Sequence, residues 1–104
     1  NLVQRSATID VIWFNERNMP DSFFEVEHST DIYNSLLKFN YLIDFSARMF
    51  IVASSLRKRE YQTKIENSAF NDLVQNKRVK FLSYDELEKY YSLEIEKQKF
   101  ETVL

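Results

Sequence analysis

Glu25 and Glu27 stand one residue apart in the stretch Phe24-Glu25-Val26-Glu27-His28-Ser29-Thr30. In an extended strand, side chains alternate between faces, so both carboxylates point the same way, about 7 Å apart. Asp10 lies in the preceding apolar stretch and adds a third acid. Carboxylates gathered on one sheet face resist ionising together. A divalent cation relieves that cost, and the matching chemistry is metal-assisted phosphoryl transfer.

Hydrolysis of a phosphodiester calls for a cation that neutralises the phosphate and acidifies a water. Mg²⁺ takes oxygen ligands and usually only one or two protein carboxylates. Asp10 and Glu25 would supply these, with the backbone carbonyl of Val26 as a third ligand for Mg²⁺ or Mn²⁺. Glu27 is placed to orient or deprotonate the water. Lys38 lies four residues after Asn34 on one helix face and would bring a positive charge to the acids. His28, the only histidine, alternates with Val26 and Phe24, which puts it on the other face in a packing or hydrogen-bonding role.

The arrangement carries a condition. Asp10 must share the face of Glu25, with Ile12 and Phe14 as face-mates and Val11 and Trp13 pointing away. A slip of one residue in the hairpin sends Asp10 to the opposite side. The competing reading is that Glu25 and Glu27 are the solvated half of an amphipathic strand, in a chain with 16 acids. Apolar Phe24 and Val26 and the apolar helix that follows count against it, because charge on a covered face needs a reason.

The elements that must position these residues follow from local pattern. Thr8 to Phe14 is β-branched and aromatic and reads as a buried strand. Asn15 to Ser22 holds the only Pro and reads as a hairpin loop. Phe23 to His28 is the returning antiparallel strand. Ser29 or Thr30 caps the next helix, with Asp31 in its first turn. Ile32, Leu36, Phe39, Ile43 and Ala47 carry that helix at helical spacing to about Arg48. Met49 to Ala53 is an interior strand, parallel to its predecessor because a helix connects them.

Ser54 or Ser55 caps a charged helix with Leu56, Tyr61 and Ile65. Asn67-Ser68 breaks it, and Ala69 to Gln75 is a short helical piece. Val79 to Leu82 is a fourth strand. Ser83-Tyr84-Asp85-Glu86 has the form of a capping box and opens a last helix carrying Leu87, Tyr91 and Ile95. The order predicts an α/β fold. Its mixed β-sheet is an antiparallel hairpin followed by parallel strands through helical crossovers, with helices on both faces.

The chain has 104 residues, 44% of them hydrophobic, with nine Phe and six Tyr. That is enough for one domain over residues 1–104 with a modest core. The absence of cysteine excludes disulfides, zinc–thiolate sites and a cysteine nucleophile, and fits a reducing cytoplasm. No apolar run is long enough to span a membrane. A net charge of −2 is a weak footprint for a stand-alone nucleic-acid binder. The basic residues do cluster, in Arg57-Lys58-Arg59 and in Lys77-Arg78 with Lys80. Either run would suit phosphate; the plainer reading is a solvated surface. No glycine is present, so tight turns must use Asn, Asp and Ser. The abrupt opening Asn1-Leu2-Val3 suggests a fragment of a larger protein.

An Asp in one strand, an acid-x-residue pair in the next, then helix, strand and helix resembles the PD-(D/E)xK nuclease superfamily. The similarity rests on Ile9-Asp10-Val11-Ile12-Trp13 and Phe24-Glu25-Val26-Glu27-His28-Ser29-Thr30. Phe50-Ile51-Val52-Ala53 and Val79-Lys80-Phe81-Leu82-Ser83-Tyr84 match the later strands of this restriction-endonuclease-like fold. The similarity covers roughly Thr8 to Tyr91. It implies metal binding at Asp10 and Glu25. Glu27 then occupies the family's lysine position, and Ile9 stands where Pro precedes the Asp. The implied activity is Mg²⁺-dependent hydrolysis of DNA in a restriction or defence protein, with other domains of the same protein as partners. In that case Lys38 or the Arg57, Lys58, Arg59 run would contact phosphate.

Two alternatives follow. One is a catalytically degenerate domain of the same fold that binds nucleic acid or protein. The other is an assembly module, with Tyr84, Tyr90, Tyr91 and Phe100 at a homodimer contact.

Overall fold

The computed structural model describes residues 10–14, 17, 19–27 and 31–103. Strand β1 (Val11–Phe14) and strand β2 (Pro20–Glu27) precede helix α1 (Ile32–Tyr41) and strand β3 (Arg48–Ala53). A 3-10 turn (Ser55–Arg57) leads into α2 (Lys58–Ile65), and a second (Ser68–Phe70) into α3 (Asn71–Gln75). Strand β4 (Val79–Ser83) and the long helix α4 (Tyr84–Val103) complete the order. The four strands form one sheet in the order β1-β2-β3-β4. β1 is antiparallel to β2, while β2, β3 and β4 are parallel. This is the mixed sheet that the sequence predicts.

Strand alternation sorts the core into two layers. Phe23, Met49, Ile51 and Val79 meet Ile32, Leu36, Phe39, Phe70 and Leu73 on one face. Phe24, Phe50 and Val52 meet Trp13, Leu87 and Tyr90 on the other. Phe24 stacks on Phe50 with centroids 5.0 Å apart, and Trp13 tilts onto Phe24 at 4.7 Å. Each such ring, fully buried, contributes about 1.5–3 kcal/mol of transfer free energy. Among the described residues no helix is long and apolar enough to cross a membrane.

Several boundaries differ from the sequence expectation. β2 begins at Pro20, so the end of the expected loop pairs with β1; an N–H-free residue is tolerated at a strand start. Asp31 is the N-cap of α1 and accepts from the Tyr33 N–H. It is not a first-turn residue, and Ser29, Thr30 and His28 lie outside the described residues, as do Thr8 and Ile9. α1 stops at Tyr41, not near Arg48, although Leu42 and Ala47 are buried.

The physical reason is Arg78. Its guanidinium donates to the carbonyls of Ile43 (3.0 Å) and Ala47 (3.1 Å) and to that of Phe45. A continuing helix would have used these acceptors internally. Ser54 caps the 3-10 turn before α2, which leaves Leu56 91% exposed. On α4, Tyr90 packs on the sheet while Tyr91 is half exposed. The Ser83–Glu86 capping box forms as expected, with reciprocal bonds of 3.0 and 3.2 Å.

Candidate active site

The site is built on β2 between two strands and under a helix. Val11 pairs with Phe24 and Ile12 with Phe23. Continued by one rung, this register brings Asp10 beside Glu25, on the face of Ile12 and Phe23. The condition set by the hairpin is therefore met. The Asp10 N–H donates to Glu25 Oε2 at 3.2 Å, and Asp10 Oδ2 accepts the Val26 N–H at 2.8 Å.

Glu25 is 1% exposed. Lys38 of α1 reaches it, with Nζ 2.7 Å from Oε1. Burial pushes the Glu25 carboxyl up to about 6; the Lys38 ammonium opposes this and Asp10 adds to it. Contact with Glu25 holds Lys38 above the ordinary lysine value against its own partial burial, and Asp10 and Glu27 act in the same direction.

Glu27 is also buried and accepts a hydrogen bond from Ser35 Oγ of α1. Its backbone carbonyl accepts from the Tyr84 hydroxyl at 3.1 Å. A cleft of about 790 Å³ opens over these groups, lined by Asp10, Glu25, Val26, Glu27, Asn34 and Lys38 with their neighbours. The strand face, the following helix and the Asp10–Glu25 pair therefore meet at this cleft, with Glu27 further along the same strand.

A cation is chemically compatible with this pocket. Glu25 Oε1 is shielded from water and faces the Lys38 ammonium at 2.7 Å, so a cation at this oxygen would share it with Lys38 or displace the ammonium. Two carboxylates and a backbone carbonyl also suit the modest protein ligation of Mg²⁺. Among the described residues no three acidic or imidazole side chains form a ready cage, so Glu27 stands apart from the Asp10–Glu25 pair.

The family model for the C-terminal domain of the type II restriction enzyme NmeDI matches residues 1–104. The chain belongs to the NmeDI C-terminal-domain family. The type II restriction enzyme NmeDI of Neisseria meningitidis serogroup C is 30% identical over 96 residues, covering 88% of this chain and 26% of that protein. The chain thus spans about a quarter of the length of this relative. No solved structure matches.

In this NmeDI-type domain the other basic candidates lie apart from the cleft. Arg57 pairs with Glu60 at 2.6 Å, while Lys58 and Arg59 are exposed at the start of α2. None of the three lines the carboxylate cleft, although all follow β3 at the sheet end where Glu27 pairs with Ala53. Two contributors escape sequence reasoning. Ser35 is polar among the apolar α1 positions Ile32, Leu36 and Phe39, a signal that was readable in principle. Tyr84 suggested a surface aromatic, and its hydroxyl in fact ties α4 to β2.

Proposed function

We propose that this chain is a metal-dependent nuclease domain of the PD-(D/E)xK type, hydrolysing phosphodiester bonds in DNA as part of a restriction protein. The observation that carries the reading is the meeting of Asp10, buried Glu25 and Lys38 in one cleft. Asp10, Glu25 and the Val26 carbonyl would hold Mg²⁺ or Mn²⁺, which supplies charge neutralisation and an acidified water. Glu27, aimed by Ser35, takes the proton of the attacking water at its carboxylate. Lys38 stands at the mouth of the cleft, where its ammonium stabilises charge on the phosphate oxygens. The similarity to a type II restriction enzyme supports DNA as substrate and other domains of the same protein as partners.

The deciding experiment is metal-dependent cleavage by the full-length protein beside Glu25→Ala. Cleavage in Mg²⁺ or Mn²⁺ that disappears in the variant is expected. No cleavage, together with no metal heat in calorimetry, would refute the reading.

One observation favours a second reading. Lys38 is itself a counter-charge for Glu25, and Glu27 replaces the expected lysine. A degenerate domain that binds DNA or protein without cutting would look the same. Metal-independent DNA binding with no cleavage would establish it. Tyr91 and Phe100, both more than half exposed, would be the aromatic surface for a homodimer in either case.

A further inference from the structure

The sheet end opposite Glu27 carries a second pocket, of opposite charge. It has a volume of about 280 Å³ and is lined by Arg48, Lys77, Arg78 and Lys80, with Leu82 and Tyr90 among its walls. The register builds it. Arg48 opens β3, and Lys80 pairs with Phe50, two residues further along and on the same face as Arg48. That face is the α4 side of the sheet, away from Glu25 and Glu27. Lys77 sits in the turn before β4 at φ 52°, fixed by its N–H to Val74 O and by the Arg78 N–H to Leu73 O.

The charges here are poorly compensated. Arg48 lies over the Tyr90 ring and pairs with Asp21 at 3.0 Å, and Glu94 is a further acid acting on it. Among the described residues Arg78 is bound to neutral carbonyls, which fix its position and leave its charge. Lys77 and Lys80 have no carboxylate in ion-pair reach among the described residues. Three uncompensated cations thus share one pocket of a chain whose net charge is −2. Like charges within a Debye length repel, and an anion seated among them removes that repulsion.

We infer that this pocket binds a phosphate group: the backbone phosphate of a nucleic acid or free phosphate. On a nucleic acid it would be an anchor on the sheet face away from the carboxylate cleft, holding a phosphate other than the one presented to Glu25. It does not require the chain to cut DNA.

The test uses the full-length protein and a K77N/K80Q variant. Asn is chosen at 77 because it tolerates positive φ. Both side chains are exposed, and matching circular dichroism melts verify that the variant is folded. Each protein is titrated with a short fluorescent DNA duplex in EDTA across a salt series. The variant is expected to bind about tenfold more weakly at low salt, with a salt slope shallower by about 2. A second arm follows amide NMR shifts on addition of inorganic phosphate, expected to saturate at Arg48 and Lys77–Lys80 in the wild type alone. Weakened duplex binding assigns the site to nucleic-acid phosphate, and a phosphate response without duplex binding assigns it to free phosphate. Equal duplex binding and slope in the two proteins, with no phosphate response at these residues, overturns the inference.

Discussion

Lys38 of α1 and Glu25 of β2 meet at 2.7 Å, an ammonium 40% exposed against a carboxylate 1% exposed. The pair spans the first crossover of the fold, so one contact joins helix to sheet and also sets the charge of the cleft. Removing the lysine leaves a buried carboxylate without its counter-charge, a strongly unfavourable state. The half-open position of Lys38 softens the effect, and Lys38→Met should cost about 1 kcal/mol at pH 7.5. Urea unfolding checks this. The cost should shrink below pH 6, where Glu25 takes up a proton. An equal cost at pH 5 and pH 7.5 would argue against the pairing as its cause.

The raised carboxyl of Glu25 has a signed consequence. Its folded value of about 6 exceeds the ordinary 4.5, so the native state binds the proton more tightly than the unfolded chain. The resulting stability is fully present below pH 4.5 and is lost as pH rises through 6, amounting to about 2 kcal/mol. Glu25→Gln should flatten this slope in unfolding free energies measured from pH 4 to 7.5. In the same window Mn²⁺ affinity of the wild type should strengthen with pH, because the ligand must be deprotonated. Calorimetry at pH 5 and pH 7 compares the two directly.

Ser35→Ala leaves a buried oxygen of Glu27 without its donor. A loss of about 1–3 kcal/mol is expected, read from thermal melts. If Glu27 handles the water, cleavage by the full-length protein should fall as well.

Arg78→Met tests the stop signal of α1. Three carbonyls of the α1–β3 connection lose a charged donor, for about 3 kcal/mol, or roughly 15 °C in Tm. A change below about 1 kcal/mol would show that water replaces the guanidinium.

Most of the fold was legible because it is written locally. β-branched runs marked the strands, the Ser83–Glu86 box marked the start of α4, and alternation put Glu25 and Glu27 on one face. What stayed hidden depends on distant residues. The end of α1 is decided by Arg78, whose place in space comes from β4. The hairpin register, on which Asp10 depended, is fixed by aromatic packing across two strands. Tyr84 reaches Glu27 only once β4 is laid beside β3. Whether Glu27 can do a lysine's work is a question of chemistry that the strand pattern does not address.

Glu27 is gripped from two sides. Its carboxylate is held by Ser35 on the helix above the sheet, and its carbonyl by Tyr84 at the root of the helix below. Mechanically, this residue is a rivet through the sheet. A tilt of either helical layer, on meeting a partner or a bent duplex, would move the same carboxylate. An event on the α4 side of the domain would therefore have a direct route to the cleft at Glu27.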